Sequence, residues 1–161
     1  MYTKVKTDQE IKDIRISGQM LGAVLKFLKP KVEIGITTKE LADLAAKELK
    51  SLGGKPAFLG YGGFPDVICI SRNEEVVHGI PGTEVVEDGD LVSLDFGVNY
   101  NKMITDAAIT VIAGESSGAK RQLLKGTEES LIAGINTVKD GVKVGDIGAA
   151  VEKVLTQYGL A

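Results

Sequence analysis

The chain has 161 residues, 43% hydrophobic and 25% charged, with 19 basic against 22 acidic side chains and a net charge of −3. That balance fits one ordinary globular domain with enough residues for a real core, and with no basic block it argues against nucleic acid or an anionic membrane as partner. A single cysteine, Cys69, leaves no intrachain disulfide framework and points to a reducing, cytoplasmic setting; no apolar run approaches membrane-spanning length, and the opening MYTKVKTDQE lacks the apolar core of a secretory leader.

The segment Thr7-Asp-Gln-Glu10 reads as a capping box. Behind it Ile11, Ile14, Leu21, Leu25 and Leu28 fall near a 3.6-residue period, which predicts an amphipathic helix over 8–29 stopped by Pro30. Thr37-Thr-Lys-Glu40 is a second box. It precedes an apolar stripe of Leu41, Leu44, Ala45 and Leu49, closed by Gly53. From Gly54 to about Val111 the pattern changes to short β-like runs, VICISR, LVSLDFGVNY and MITDAAITV, with turns expected at Gly82, Gly89 and Asn101. The helical period returns from Ser117 to Val138. Asp146 is expected to open a last helix and Gly159 to close it.

That last helix echoes the second one. Leu41, Ala45, Leu49 and Gly53 match Ile147, Val151, Leu155 and Gly159 at a constant offset of 106 residues, as do Gly35 with Gly141 and Glu40 with Asp146. The pattern reads as a long-period internal repeat, although amphipathic helices share such spacing by chance as well. On the repeat reading, residues 1–112 form a first pseudo-repeat and residues 113–161 the helical start of a second, within one domain.

Two aspartates interrupt the strand-like runs: Asp95 in LVSLDFGVNY and Asp106 in MITDAAITV, eleven residues apart. An ionised carboxylate among apolar neighbours needs a partner, a hydrogen bond or a cation. Alternation puts Asp95 on one face with Ser93 and Gly97, and Asp106 on one face with Ile104 and Ala108. A hairpin turning near Tyr100-Asn101 would set the two carboxylates facing each other, where they repel unless one is protonated or a divalent ion sits between them. The same spacing is equally met by one aspartate in a turn and the other at an exposed strand edge. His78, the only histidine, stands before Gly-Ile-Pro and reads as the end of a strand beside a turn, in a position to donate a hydrogen bond or carry a proton. One histidine excludes a site of several histidine ligands within a monomer. In FLGYGGFPDVICIS, Phe58, Tyr61, Phe64 and Cys69 are either core or the wall of an apolar pocket. There is no glycine-rich phosphate loop and no serine triad pattern.

Taken together, FLGYGGFPDVICISRNEEVVHGIPG and GDLVSLDFGVNYNKMITDAAITV resemble the type I methionine aminopeptidases, metallopeptidases of the pita-bread fold. The resemblance covers nearly the whole chain. It implies an α+β fold, an antiparallel sheet with amphipathic helices on one face, here incomplete. It also implies removal of the initiator methionine from nascent proteins, with the ribosome exit as the setting. Asp95 would chelate both ions of a dinuclear centre and Asp106 would bridge them. His78 would contact the substrate and help stabilise the developing tetrahedral centre. Phe58, Tyr61, Phe64 and Cys69 would line the methionine pocket. The metal would be manganese, iron, cobalt or zinc.

The chain departs from the family in one large respect. A further metal-binding histidine, a second substrate-side histidine and two glutamates are expected beyond VEKVLTQYG, but the sequence ends at Ala161. The expectation is therefore a truncated catalytic domain with weak metal binding and negligible activity alone. The alternative is a binding half-domain, or part of a split or dimeric assembly joined through an open sheet edge.

Overall fold

The protein is described by a computed structural model covering residues 4–160. The first three residues of the N-terminal stretch read above, and residue 161, lie outside that range. The chain divides into two compact units, with the boundary between Glu115 and Ser116.

The first unit begins with α1 (Asp8–Leu28). The Thr7 hydroxyl accepts from the Glu10 N–H at 3.2 Å, and the Glu10 carboxylate accepts from the Thr7 N–H at 2.7 Å. The two bonds satisfy donors that a helix start leaves unpaired. The helix ends one residue earlier than expected, and Pro30 sits inside a single 3₁₀ turn, Lys29–Lys31, where its missing N–H costs nothing. The second box works in the same way at α2 (Thr38–Leu52), and Gly53 closes it at φ 81°. Glycine takes that left-handed conformation without the Cβ penalty other residues meet there.

The sheet has four strands, all antiparallel: β1 (Lys55–Pro56), β2 (Ile68–Arg72), β3 (Leu91–Tyr100) and β4 (Met103–Ile112). β3 is central. β1 and β2 follow one another along one of its edges, and β4 pairs along the whole of the other. Asn101 and Lys102, both at positive φ, make a two-residue hairpin turn between β3 and β4. Val92, Leu94, Phe96 and Val98 point to one face and are fully buried with Leu28, Leu41, Ala45 and Leu49 of the two helices. The alternation expected from the sequence thus places Ser93, Asp95 and Gly97 on the opposite face.

The stretch between β2 and β3 differs from expectation. Asn73 turns left-handed at φ 49° and ends β2, so His78 lies in an irregular segment rather than at a strand end. The segment is tied down by Asp90, which is 6% exposed. Its carboxylate accepts from the Arg72 guanidinium at 2.7 Å and from the Asn73 amide at 2.7 Å. Burial alone would raise its pKa, but the bonds from Asn73, the Glu87 N–H and Arg72 outweigh burial and hold the carboxyl below its ordinary value.

The second unit is a helical hairpin of α3 (Gly118–Thr137) and α4 (Val144–Gln157). α4 begins two residues before the expected point. Asp146 lies inside its first turn, and its carboxylate accepts from the Lys143 N–H at 3.0 Å. In α3 only the small residues Gly126, Ser130 and Gly134 are buried, and Leu131, Ile132 and Ile135 are each more than half exposed. Positions paired by the 106-residue offset share their backbone: Gly35 and Gly141 lie at φ 96° and 79°, and Gly53 and Gly159 at 81° and 67°. Among the described residues no helix is long and apolar enough to cross a membrane.

Candidate functional site

The face of the sheet away from the two helices holds the aspartates. Asp95 pairs with Ala108 and Asp106 with Gly97, so the two side chains are diagonal neighbours rather than directly opposed. This corrects the facing arrangement expected from the sequence. With the turn at Asn101-Lys102 the register runs two residues off the direct pairing. A diagonal pair is still within reach of its carboxyl groups, and the charge of Asp106 and a hydrogen bond to its carboxyl are among the causes that raise the Asp95 pKa. The alternative reading is met for Asp106 only: it is exposed and lies on β4, whereas Asp95 is half-buried on the central strand.

Burial, then the Asp106 charge and that hydrogen bond, push the Asp95 carboxyl up to about 6, and a weaker opposing influence comes from His78. The folded state therefore holds this proton more tightly than the unfolded chain, where the ordinary value is 3.8. A carboxyl with a raised folded pKa makes the metal-free protein less stable as pH rises through that window. Between about pH 4 and about pH 6 the melting temperature in chelator should fall with rising pH on account of this group, and Asp95→Asn should flatten that slope. An unchanged slope in the variant would show that the pair is not coupled as described.

Cys69 pairs with Asp95 across β2 and β3. Burial, then the charges of Asp95 and Asp106, push its thiol up to about 11. It is a neutral thiol at neutral pH, suited to a pocket wall and not to attack or ligation.

A cleft of about 550 Å³ opens over this face. Every residue singled out in the sequence lines it: Phe58, Tyr61, Phe64, Cys69, His78, Asp95 and Asp106. Ile80 and Pro65 line it as well and were not anticipated; Ile80 stands two residues after His78, which was the available signal. Two glycines make the arrangement fit. A Cβ on Gly97 would lie 2.6 Å from the Phe58 ring, so the ring rests directly on the β3 backbone beside Asp95. A Cβ on Gly79 would lie 2.2 Å from the Ile70 carbonyl oxygen. With no side chain there, the Ile70 N–H donates to the Gly79 carbonyl at 3.0 Å, and the Gly79 N–H donates to the Ser71 hydroxyl at 3.1 Å. These bonds hold the segment of His78, itself at φ 60°, against β2.

The donor set suits a hard or borderline divalent cation: two carboxylates that repel each other, in a partly desolvated cleft. It supplies only part of a coordination shell. Among the described residues no group of three or more histidine, cysteine, aspartate or glutamate side chains is placed to hold a metal.

The profile of metallopeptidase family M24 matches residues 12–161. A methionine aminopeptidase from Aquifex aeolicus is 41% identical over 99% of this chain, and methionine aminopeptidase 1 from Bacillus subtilis is 40% identical over 91%. The crystal structure of a methionine aminopeptidase from Thermotoga maritima superposes with a TM-score of 0.95, at 34% identity over 98% of this chain. The chain spans 64% of the Aquifex protein, 59% of the Bacillus protein and 64% of the Thermotoga chain. A mixed α and β architecture, an antiparallel sheet under two helices and this match over nearly its whole length place the chain, with its pita-bread fold, in metallopeptidase family M24.

Proposed function

We propose that this chain carries the metal-binding hairpin and the methionine pocket of an aminopeptidase that removes the N-terminal methionine of nascent polypeptides in the cytoplasm, at the ribosome exit. The observation that supports this is the meeting of the Asp95 and Asp106 carboxyls in a cleft whose other walls are aromatic side chains, Cys69 and His78.

Asp95 and Asp106 would hold two divalent ions, of manganese, iron, cobalt or zinc. When bound, such ions lower the pKa of water and polarise a peptide carbonyl. The chain's own residues do the rest. Phe58, Tyr61, Phe64 and the neutral Cys69 thiol receive an unbranched apolar side chain and exclude water from it. His78, exposed at the rim, donates to the substrate backbone next to the scissile bond. The 106-residue offset is read as an internal duplication, with α3 and α4 as the helical part of its second copy.

Two carboxylates hold a divalent ion weakly, because affinity rises with ligand number and charge. The 161-residue chain alone should therefore release almost no methionine from a Met-Ala-Ser peptide in the presence of manganese. Rapid release would overturn the reading that the site is incomplete within these residues. One observation favours a second reading. The outer edge of β4 has no partner strand among the described residues, and an unpaired edge accepts an added strand. On that reading the chain binds peptides or a second copy of itself without hydrolysis, and light scattering showing a strict monomer would count against self-association.

A further inference from the structure

Asp106 poses a mechanical question. Its strand, β4, is held on one side only, by β3, and its side chain is exposed. An edge strand carrying a ligand needs something else to fix it. Three residues of helix α1, Ser17, Gly18 and Asp13, meet this hairpin from the side of the sheet that the helices cover. The Ser17 hydroxyl, fully buried, lies 3.0 Å from the Val98 carbonyl oxygen and 2.8 Å from the Thr105 hydroxyl. Gly18 faces the Thr105 methyl, which a Cβ there would meet at 3.9 Å, an ordinary van der Waals distance. One turn earlier the buried Asp13 accepts a long bond of 3.4 Å from the Asn101 amide at the hairpin turn, and is itself held by Gln9 at 3.0 Å.

The direction of the Ser17 bonds follows from counting protons. A serine hydroxyl has one hydrogen, and the Val98 carbonyl can only accept it. Ser17 therefore donates to Val98 and accepts from Thr105. The result is a directed chain from the Thr105 hydroxyl through Ser17 to the Val98 carbonyl. Val98 and Thr105 are paired across the ladder, and the next rung is Gly97 with Asp106. Ser17 thus grips both strands at the rung beside Asp106.

We infer that Ser17, with Thr105 and with Asp13 one turn earlier, is a positioning device that sets Asp106 against Asp95 for cation binding. The metal half of this inference rests on the function proposed above; the clamp itself does not. Asp13 and Ser17 are four residues apart and so lie on one face of α1. They meet the hairpin at its turn and at its third rung, two points that define an angle as well as a distance.

The test uses the full chain and manganese(II) alone as probe. In Ser17→Ala and in Thr105→Val, amide hydrogen exchange at Thr105 and Ala107, whose N–H groups face β3, should accelerate at least tenfold relative to Ile70 in β2, and manganese affinity should fall at least threefold well below the melting temperature. Thr105→Ser, which keeps the hydroxyl, should restore both. The double variant should be no worse than either single one, because the bonds form one chain. Unchanged exchange at Thr105 and Ala107 would overturn the clamp, whatever happens to the metal. Faster exchange with manganese affinity unchanged would reduce Ser17 to a structural residue and overturn the positioning role. Failure of the wild-type chain to bind manganese would strike the metal reading instead, and the exchange result would still decide the clamp.

Discussion

Phe96→Ala is expected to remove about 3–5 kcal/mol of stability, the usual cost of truncating a fully buried phenylalanine. Phe96 has no exposed surface and stands at the middle of the central strand, paired with Ile68 on one side and Ala107 on the other. Its ring belongs to the face covered by α1 and α2, where Leu28, Leu41 and Leu49 are also buried. The space it vacates is bounded by two helices and three strands, which cannot all close on it, so a cavity term adds to the lost transfer energy. A domain of this size is stable by about 5–15 kcal/mol, so the loss is a large share of the whole. Urea titration should show a lower midpoint at similar slope. A loss below about 1 kcal/mol would mean that the sheet face does not pack as described.

Asp106→Ala is expected to abolish the stabilisation that a divalent ion confers, and Asp106→Asn to weaken it strongly. Manganese at about ten times its dissociation constant stabilises a folded chain by about 1.4 kcal/mol. The wild-type chain should show that gain as a rise in melting temperature, and Asp106→Ala should show none. The same substitution removes the charge that disfavours ionisation of Asp95. Without metal, the variant should therefore be no less stable than the wild type at neutral pH, where the two carboxylates otherwise repel. A group that costs stability when empty and contributes it when loaded is the signature of a binding site and not of a structural ion pair. His78→Ala is the control, since His78 holds no metal in this account, and it should keep the manganese response nearly intact. An equal response in Asp106→Ala would take the metal away from this hairpin.

The helices were legible because their ends are chemically marked: Thr7 with Glu10, Thr37 with Glu40, and Gly53 at positive φ. The long strands were legible because β3 alternates buried and half-buried residues over most of its length. β1 has only two residues, too few for any period, and is defined solely by its pairing with Asn99 and Val98. The diagonal offset of the aspartates was hidden because moving a two-residue turn by one position shifts the register by two, and Asn101-Lys102 is one of several turns the sequence permits. The path of residues 73–90 was hidden for a different reason. It depends on the long-range bonds of Asp90 and on Gly79 lying against Ile70, and neither leaves a local pattern. Which residues meet in the cleft was readable from residue types and resemblance. How the edge strand is held was not, since Ser17 and Thr105 lie 88 residues apart.

On the function proposed above, Asp95 and Asp106 together hold a divalent cation. The most direct measurement is a manganese(II) titration of the wild-type chain followed by electron paramagnetic resonance, at about pH 7.5 and again at about pH 5, on either side of the raised carboxyl. The free-ion signal should be lost saturably at the higher pH, and binding should be much weaker at the lower, where a proton occupies the place of the ion. Absence of binding at the higher pH, or binding of equal strength at both, would contradict that function.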